Sequence, residues 1–89
     1  MAKSKRVLVV IRCRLSEPRA GQGLRAAVSY AALGLEVAVA LAEEAKAADA
    51  AVLRHVHTLR GLGHRVLVAD AEGLCRLYAE LAPDAVIVW

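Results

Sequence analysis

Two thiols and a group of arginines are the residues of this chain whose types could do chemistry. Cys13 lies just beyond the apolar run Val7–Ile11, between Arg12 and Arg14. The thiolate is the reactive form of a cysteine and adjacent cations favour it, so Cys13 is a candidate nucleophile, open to solvent at a strand end. Cys75 is the second candidate. It neighbours Leu74 beside an apolar helical stripe, where a cysteine also serves as a small hydrophobe. Arg12, Arg14 and Arg19 lead into Gly21-Gln22-Gly23. Guanidinium charge beside the unpaired N–H groups of a helix start suits a phosphate, a sulfate or a sulfur oxyanion. Solvated arginines without a ligand are the alternative.

Spacing argues against several other chemistries. Gly21-Gln22-Gly23-Leu24-Arg25-Ala26 matches the GxGxxG/A form of dinucleotide sites, yet about nine residues separate it from the preceding strand, where such sites need almost none. The two glycines read instead as a mobile loop opening a helix. His55 and His57 are two positions apart and point to different sides of a helix, whereas ligand pairs sit at i, i+3 or i, i+4. There is no CxxC, no serine–histidine–aspartate set on neighbouring strand ends, and no acidic pair after the first strand. No metal and no cofactor is expected.

The elements that must position these residues follow from an internal repeat. Leu33-Gly34-Leu35-Glu36-Val37-Ala38-Val39-Ala40 returns 29 residues later as Leu62-Gly63-His64-Arg65-Val66-Leu67-Val68-Ala69. Each copy ends a helix at Leu-Gly, where Gly34 and Gly63 supply a left-handed residue, and then enters a strand. Strands are predicted near Arg6–Arg12, Glu36–Leu41, Arg65–Ala69 and Ala85–Trp89. They lack the polar alternation of a one-sided antiparallel sheet, which is the mark of buried parallel strands. Helical stripes fall between them: Leu24, Ala27, Val28 and Ala31; Ala48, Val52, Val56 and Leu59; Leu74, Leu77, Tyr78 and Leu81. Pro83 ends the third helix. The segment from Arg12 to Gly23 is the one long irregular stretch.

The fold expected is α/β, a small three-layer sandwich with a four-stranded, mainly parallel sheet in the order β-α-β-α-β-α-β along the chain and 2-1-3-4 across the sheet. Function on such sheets concentrates at the carboxyl ends of the strands, where strand order reverses. In the order 2-1-3-4 that crevice lies between strands one and three, and Arg12, Cys13, Arg14 and Asp70 face it.

Composition sets the outer bounds. The chain has 89 residues, enough for one domain over residues 1–89, and 58% of them are hydrophobic, with no Phe and one Trp. So small a domain has a thin core, and Trp89 at the end of the last strand has little local sequence to cover it. A homo-oligomer is expected on both grounds. No apolar stretch reaches the roughly 20 residues that span a bilayer. The basic start Met1–Arg6 precedes too short an apolar run for a signal peptide. The expected location is therefore cytoplasmic, where thiols stay reduced. Residues 1–25 hold seven basic side chains against Glu17 alone, and the rest of the chain holds five against eight acids. That split directs anions or an acidic partner to one end, or else is a solvated tail and loop. Neither a nucleic acid nor a membrane is expected as a partner.

A family resemblance adds to this reading. Arg6-Val-Leu-Val-Val-Ile, a loop, and Arg25-Ala-Ala-Val-Ser-Tyr-Ala-Ala-Leu-Gly-Leu-Glu-Val-Ala-Val-Ala-Leu resemble the opening of DsrE/DsrF-like proteins. The resemblance continues through Leu59-Arg-Gly-Leu-Gly-His-Arg-Val-Leu-Val and Leu81-Ala-Pro-Asp-Ala-Val-Ile-Val-Trp, and the terminal Trp89 is similar to that of DsrH/TusB-type subunits. It implies a cytoplasmic, oligomeric α/β domain in a sulfur relay, working with sulfur-relay protein partners. Relay-competent members carry persulfide sulfur on a cysteine at the end of the third strand or the start of the next helix. This sequence has Ala69 and Asp70 there, with Cys75 about a turn and a half further on. Two functions stay open: a persulfide carrier using Cys13 or Cys75, or a non-catalytic subunit or small-anion-binding module.

Overall fold

In the computed structural model, which describes residues 5–89, four strands and three helices alternate along the chain. They are β1 (Arg6–Ile11), α1 (Pro18–Ala32), β2 (Glu36–Leu41), α2 (Ala50–Gly61), β3 (Arg65–Val68), α3 (Ala71–Leu81) and β4 (Ala85–Val88). Lys3 and the rest of the basic start at residues 1–4 lie outside the described residues. All three strand pairings are parallel, with Val7 opposite Val37 and Ala85, and Ala38 opposite Arg65.

The order across the sheet is β3-β2-β1-β4, which corrects the expected 2-1-3-4. Apolar length explains it. β1 and β2 each bury five consecutive residues, as central strands must, whereas β3 buries only Val66 and β4 buries none completely. The first two crossovers step outward from β1 to β2 to β3 with α1 and α2 on one face. The third returns across the opposite face through α3 and adds β4 at the free side of β1, so the chain reverses direction between β1 and β4.

Two hydrophobic layers result. Val9, Ile11, Val39 and Val37 pack under Leu24 and Ala27 of α1 and Val52, Val56 and Leu59 of α2. Leu8, Val10, Ala38 and Ala40 meet Leu77 and Leu81 of α3. Of the predicted stripes, Ala48 falls before α2, and Tyr78 stands on the exposed flank of α3 and is not part of the core. Gly34 and Gly63 take φ of 87° and 88° at the ends of α1 and α2, the left-handed turns that the repeat requires. Ala82 ends α3 in the same region, with φ 44°.

Arg6 ties the amino ends of the strands together. Its N–H donates to Asp84 Oδ2 at 2.8 Å, its Nε to Glu36 Oε2 at 3.1 Å and its Nη1 to the Leu81 carbonyl at 3.1 Å. The last bond places a cation on the carboxyl end of α3, where the helix dipole favours it.

Candidate functional site at the ends of β1 and β4

The predicted irregular segment is shorter than its glycines suggest, because Pro18 is the first residue of α1. Proline is pre-organised for that position and its missing N–H is one that no helix bond needs. The connection from β1 is therefore a tight turn. Glu17 N–H donates to the Arg14 carbonyl at 3.0 Å, and the Arg14 N–H donates back to the Glu17 carboxylate at 3.0 Å. The Leu15 N–H donates to Glu43 Oε1 at 2.9 Å, which fastens this turn to the segment after β2 and buries Leu15.

Gly21 and Gly23 consequently lie within α1 and not in a loop at its mouth. A Cβ on Gly21 would meet nothing within 4 Å. On Gly23 it would stand 2.5 Å from Ile11 Cδ1 and 2.7 Å and 2.9 Å from Cγ and Cδ1 of Trp89. Gly23 is thus the gap through which the indole reaches the core. Trp89, expected to need a neighbouring subunit for cover, is half-buried against its own chain. Its ring packs on the α1 face of the sheet, and its Nε1–H is buried with no acceptor among the described residues.

Backbone bonds hold the indole at the carboxyl end of β1. The Trp89 N–H donates to the Val10 carbonyl at 2.7 Å and the Arg12 N–H donates to the Trp89 carbonyl at 2.7 Å. Around this junction Arg12, Cys13, Arg19, Val88 and Trp89 line an open hollow of about 420 Å³. It stands at the reversal between β1 and β4, on the side of β1 away from β2, with β4 as its neighbouring strand where β3 was expected.

The candidate residues divide accordingly. Arg12, Cys13 and Arg19 come together at this hollow, and Arg14 is exposed on the turn beyond it. Asp70 caps α3, its Oδ1 accepting from the Gly73 N–H at 2.7 Å, and it lines a second hollow of about 380 Å³ with Arg12, Ala69 and Leu74. The glycines offer no loop donors, and the Glu17 carboxylate occupies the entry to α1. An anion at the first hollow would rest on Arg12 and Arg19. The two thiols exchange their expected environments: Cys13 is half-buried against the main core, whereas Cys75 is exposed on α3. Val88 and Trp89 were absent from the sequence-derived site, and only the pairing of β4 with β1 reveals them.

His55 is half-buried on α2. Burial first, and then the nearby charges of Arg54 and Arg25, hold it below the ordinary histidine value. Among the described residues no group of three or more His, Cys, Asp or Glu side chains is placed to hold a metal ion. Among them, too, no helix is long and apolar enough to cross a membrane.

Comparison with known proteins finds no family model that matches the chain, and no curated protein or solved structure that matches it either.

Proposed function

We propose that this chain is a DsrE-like sulfur-relay domain of the cytoplasm that carries sulfane sulfur on Cys13, either by itself or as a subunit of a sulfur-transfer complex. The observation that carries the reading is the convergence of Cys13, Arg12 and Arg19 on one hollow at the strand reversal. In the transfer, the Cys13 thiolate attacks the outer sulfur of a donor persulfide. A new S–S bond forms at Cys13 as the donor's S–S bond breaks, and the donor leaves as a thiolate that takes up the proton from Cys13. No electrons are gained or lost overall. The two guanidinium groups supply positive charge for the anionic persulfide. Cys75, exposed on α3 with the i, i+4 pair Glu72–Arg76 as its charged surroundings, is the lesser candidate.

The test is intact mass and peptide mapping after incubation with a persulfide donor, on the wild type and on Cys13→Ser and Cys75→Ser. One added sulfur on Cys13, lost in Cys13→Ser and kept in Cys75→Ser, is expected. Sulfur on Cys75 alone, or on neither, overturns the proposal.

The half-burial of Cys13 against the core favours a second reading, a non-covalent module in which Arg12 and Arg19 hold a small sulfur oxyanion. Its signature is thermal stabilisation by thiosulfate that survives Cys13→Ser and disappears in Arg12→Ala/Arg19→Ala.

A further inference from the structure

The two faces of the sheet are covered unequally. α1 and α2 share one face, and α3 alone covers the other. α3 starts beside the end of β3 and reaches the amino ends of the strands at Leu81, whose carbonyl Arg6 binds. Leu77 and Leu81 pack on the sheet, but the first turn of α3, Ala71-Glu72-Gly73-Leu74, brings only one large apolar side chain to the carboxyl ends.

β2 meets α3 with alanine. Along Val37-Ala38-Val39-Ala40-Leu41-Ala42 the large residues turn to α1 and α2, and Ala38 and Ala40 turn to α3. The Ala42 N–H extends the ladder by donating to the Ile11 carbonyl at 3.2 Å, and similar bonds carry β1 on to Arg12 and β3 on to Ala69. By the two-residue period of a strand, Arg12, Ala42 and Ala69 stand side by side in one row on the α3 face. Small side chains beneath a small first turn leave a hollow of about 380 Å³ there, the one that Arg12 and Asp70 both line.

The lining is apolar apart from these two charges of opposite sign. Arg12 stands at the β1 end and Asp70 at the β3 end, on strands two spacings, or about 10 Å, apart. No hydrogen bond or ion pair joins them among the described residues. Asp70 Oδ1 is occupied by the Gly73 N–H at 2.7 Å, which caps α3 and leaves Oδ2 for another donor.

We infer that this hollow binds a free amino acid with an apolar side chain, its carboxylate on the Arg12 guanidinium, its ammonium on Asp70 Oδ2 and its side chain over Ala42 against Leu74. Charge selects the class. A simple carboxylate would meet Asp70 and a simple amine would meet Arg12, whereas a zwitterion satisfies both. Size agrees, because small-molecule sites run from roughly 300 to 1,000 Å³ and this one lies at the lower end. The inference makes no use of sulfur chemistry at Cys13, which lies at the other hollow that Arg12 borders.

Isothermal titration calorimetry with L-leucine, isocaproate and isoamylamine tests it, the last two being leucine without its ammonium and without its carboxylate. Leucine should bind, and each analogue should bind about tenfold more weakly or worse. Asp70→Asn keeps the helix cap, since asparagine caps as well as aspartate, and should weaken leucine binding about tenfold or more. Ala42→Leu, at an exposed position, fills the row and should abolish binding with unchanged circular dichroism. A wild type that does not bind leucine, an analogue that binds as tightly as leucine, or binding unchanged in Asp70→Asn or in Ala42→Leu overturns the inference.

Discussion

Adding one methyl group at each of two neighbouring glycines of α1 should move stability in opposite directions. Alanine is about 1 kcal/mol better than glycine in a helix interior. At Gly21, where a Cβ meets nothing within 4 Å, that gain stands nearly alone, and Gly21→Ala should be more stable by about 0.5–1 kcal/mol. At Gly23 the new Cβ meets Ile11 Cδ1 at 2.5 Å and the indole at 2.7 Å and 2.9 Å, closer than carbon atoms approach. Ile11 is fully buried, and the two indole atoms include Cγ, the root of a rigid ring, so both neighbours must shift to admit the methyl group. Overpacking of this kind costs about 1–3 kcal/mol. The upper end applies, which leaves a net loss of about 2 kcal/mol for Gly23→Ala after the helix gain. For a domain of this size, that corresponds to a fall of roughly 10 °C in Tm. Urea denaturation of the two single variants, with Ile11→Val and Ile11→Val/Gly23→Ala to complete a cycle, measures it. Removal of the Ile11 Cδ1 should recover at least about 0.5 kcal/mol of the Gly23→Ala loss. If Gly23→Ala proves as stable as Gly21→Ala, the packing account of Gly23 is wrong.

Ala82 holds φ 44° at the end of α3, a region that favours glycine, so Ala82→Gly should raise stability by about 0.5–1 kcal/mol in the same denaturation assay. His55 is held below 6.5 in the folded protein, so on acidification the unfolded chain takes up the proton first. Stability should therefore decline as pH falls from about that value through the folded one, and Tm measured against pH should lose that part of its slope in His55→Gln but not in His57→Gln. The His64 ring accepts the Val37 N–H at 3.2 Å through Nδ1, and His64→Leu, which strands that donor at the start of β2, should cost about 1–3 kcal/mol. With iodoacetamide at neutral pH, thiosulfate should protect Cys13, which stands at the arginine-lined hollow, and leave the exposed Cys75 unprotected. Equal protection of both thiols would separate Cys13 from the arginine-lined hollow.

Much of this fold is written locally. Gly34 and Gly63 mark the ends of α1 and α2, where a left-handed residue is required, and the unalternating runs after them announce parallel strands. What nearest neighbours in sequence do not encode is which strand adjoins which. The clue lay in length: five buried residues in β1 and in β2 against one in β3 make the first two strands central. The candidate site divides along the same line. Arg12, Cys13 and Arg19 are legible because they follow the first strand and open the first helix, whereas Val88 and Trp89 join them only through the return of α3 across the sheet. The glycine pair shows why a motif can mislead when its spacing looks familiar. A dinucleotide motif and Gly23 use one property, the absence of a Cβ where something must come close. The sequence displays that property without naming what approaches; here it is an indole from the last strand, and the indole fixes α1 against the junction of β1 and β4 where Cys13 stands.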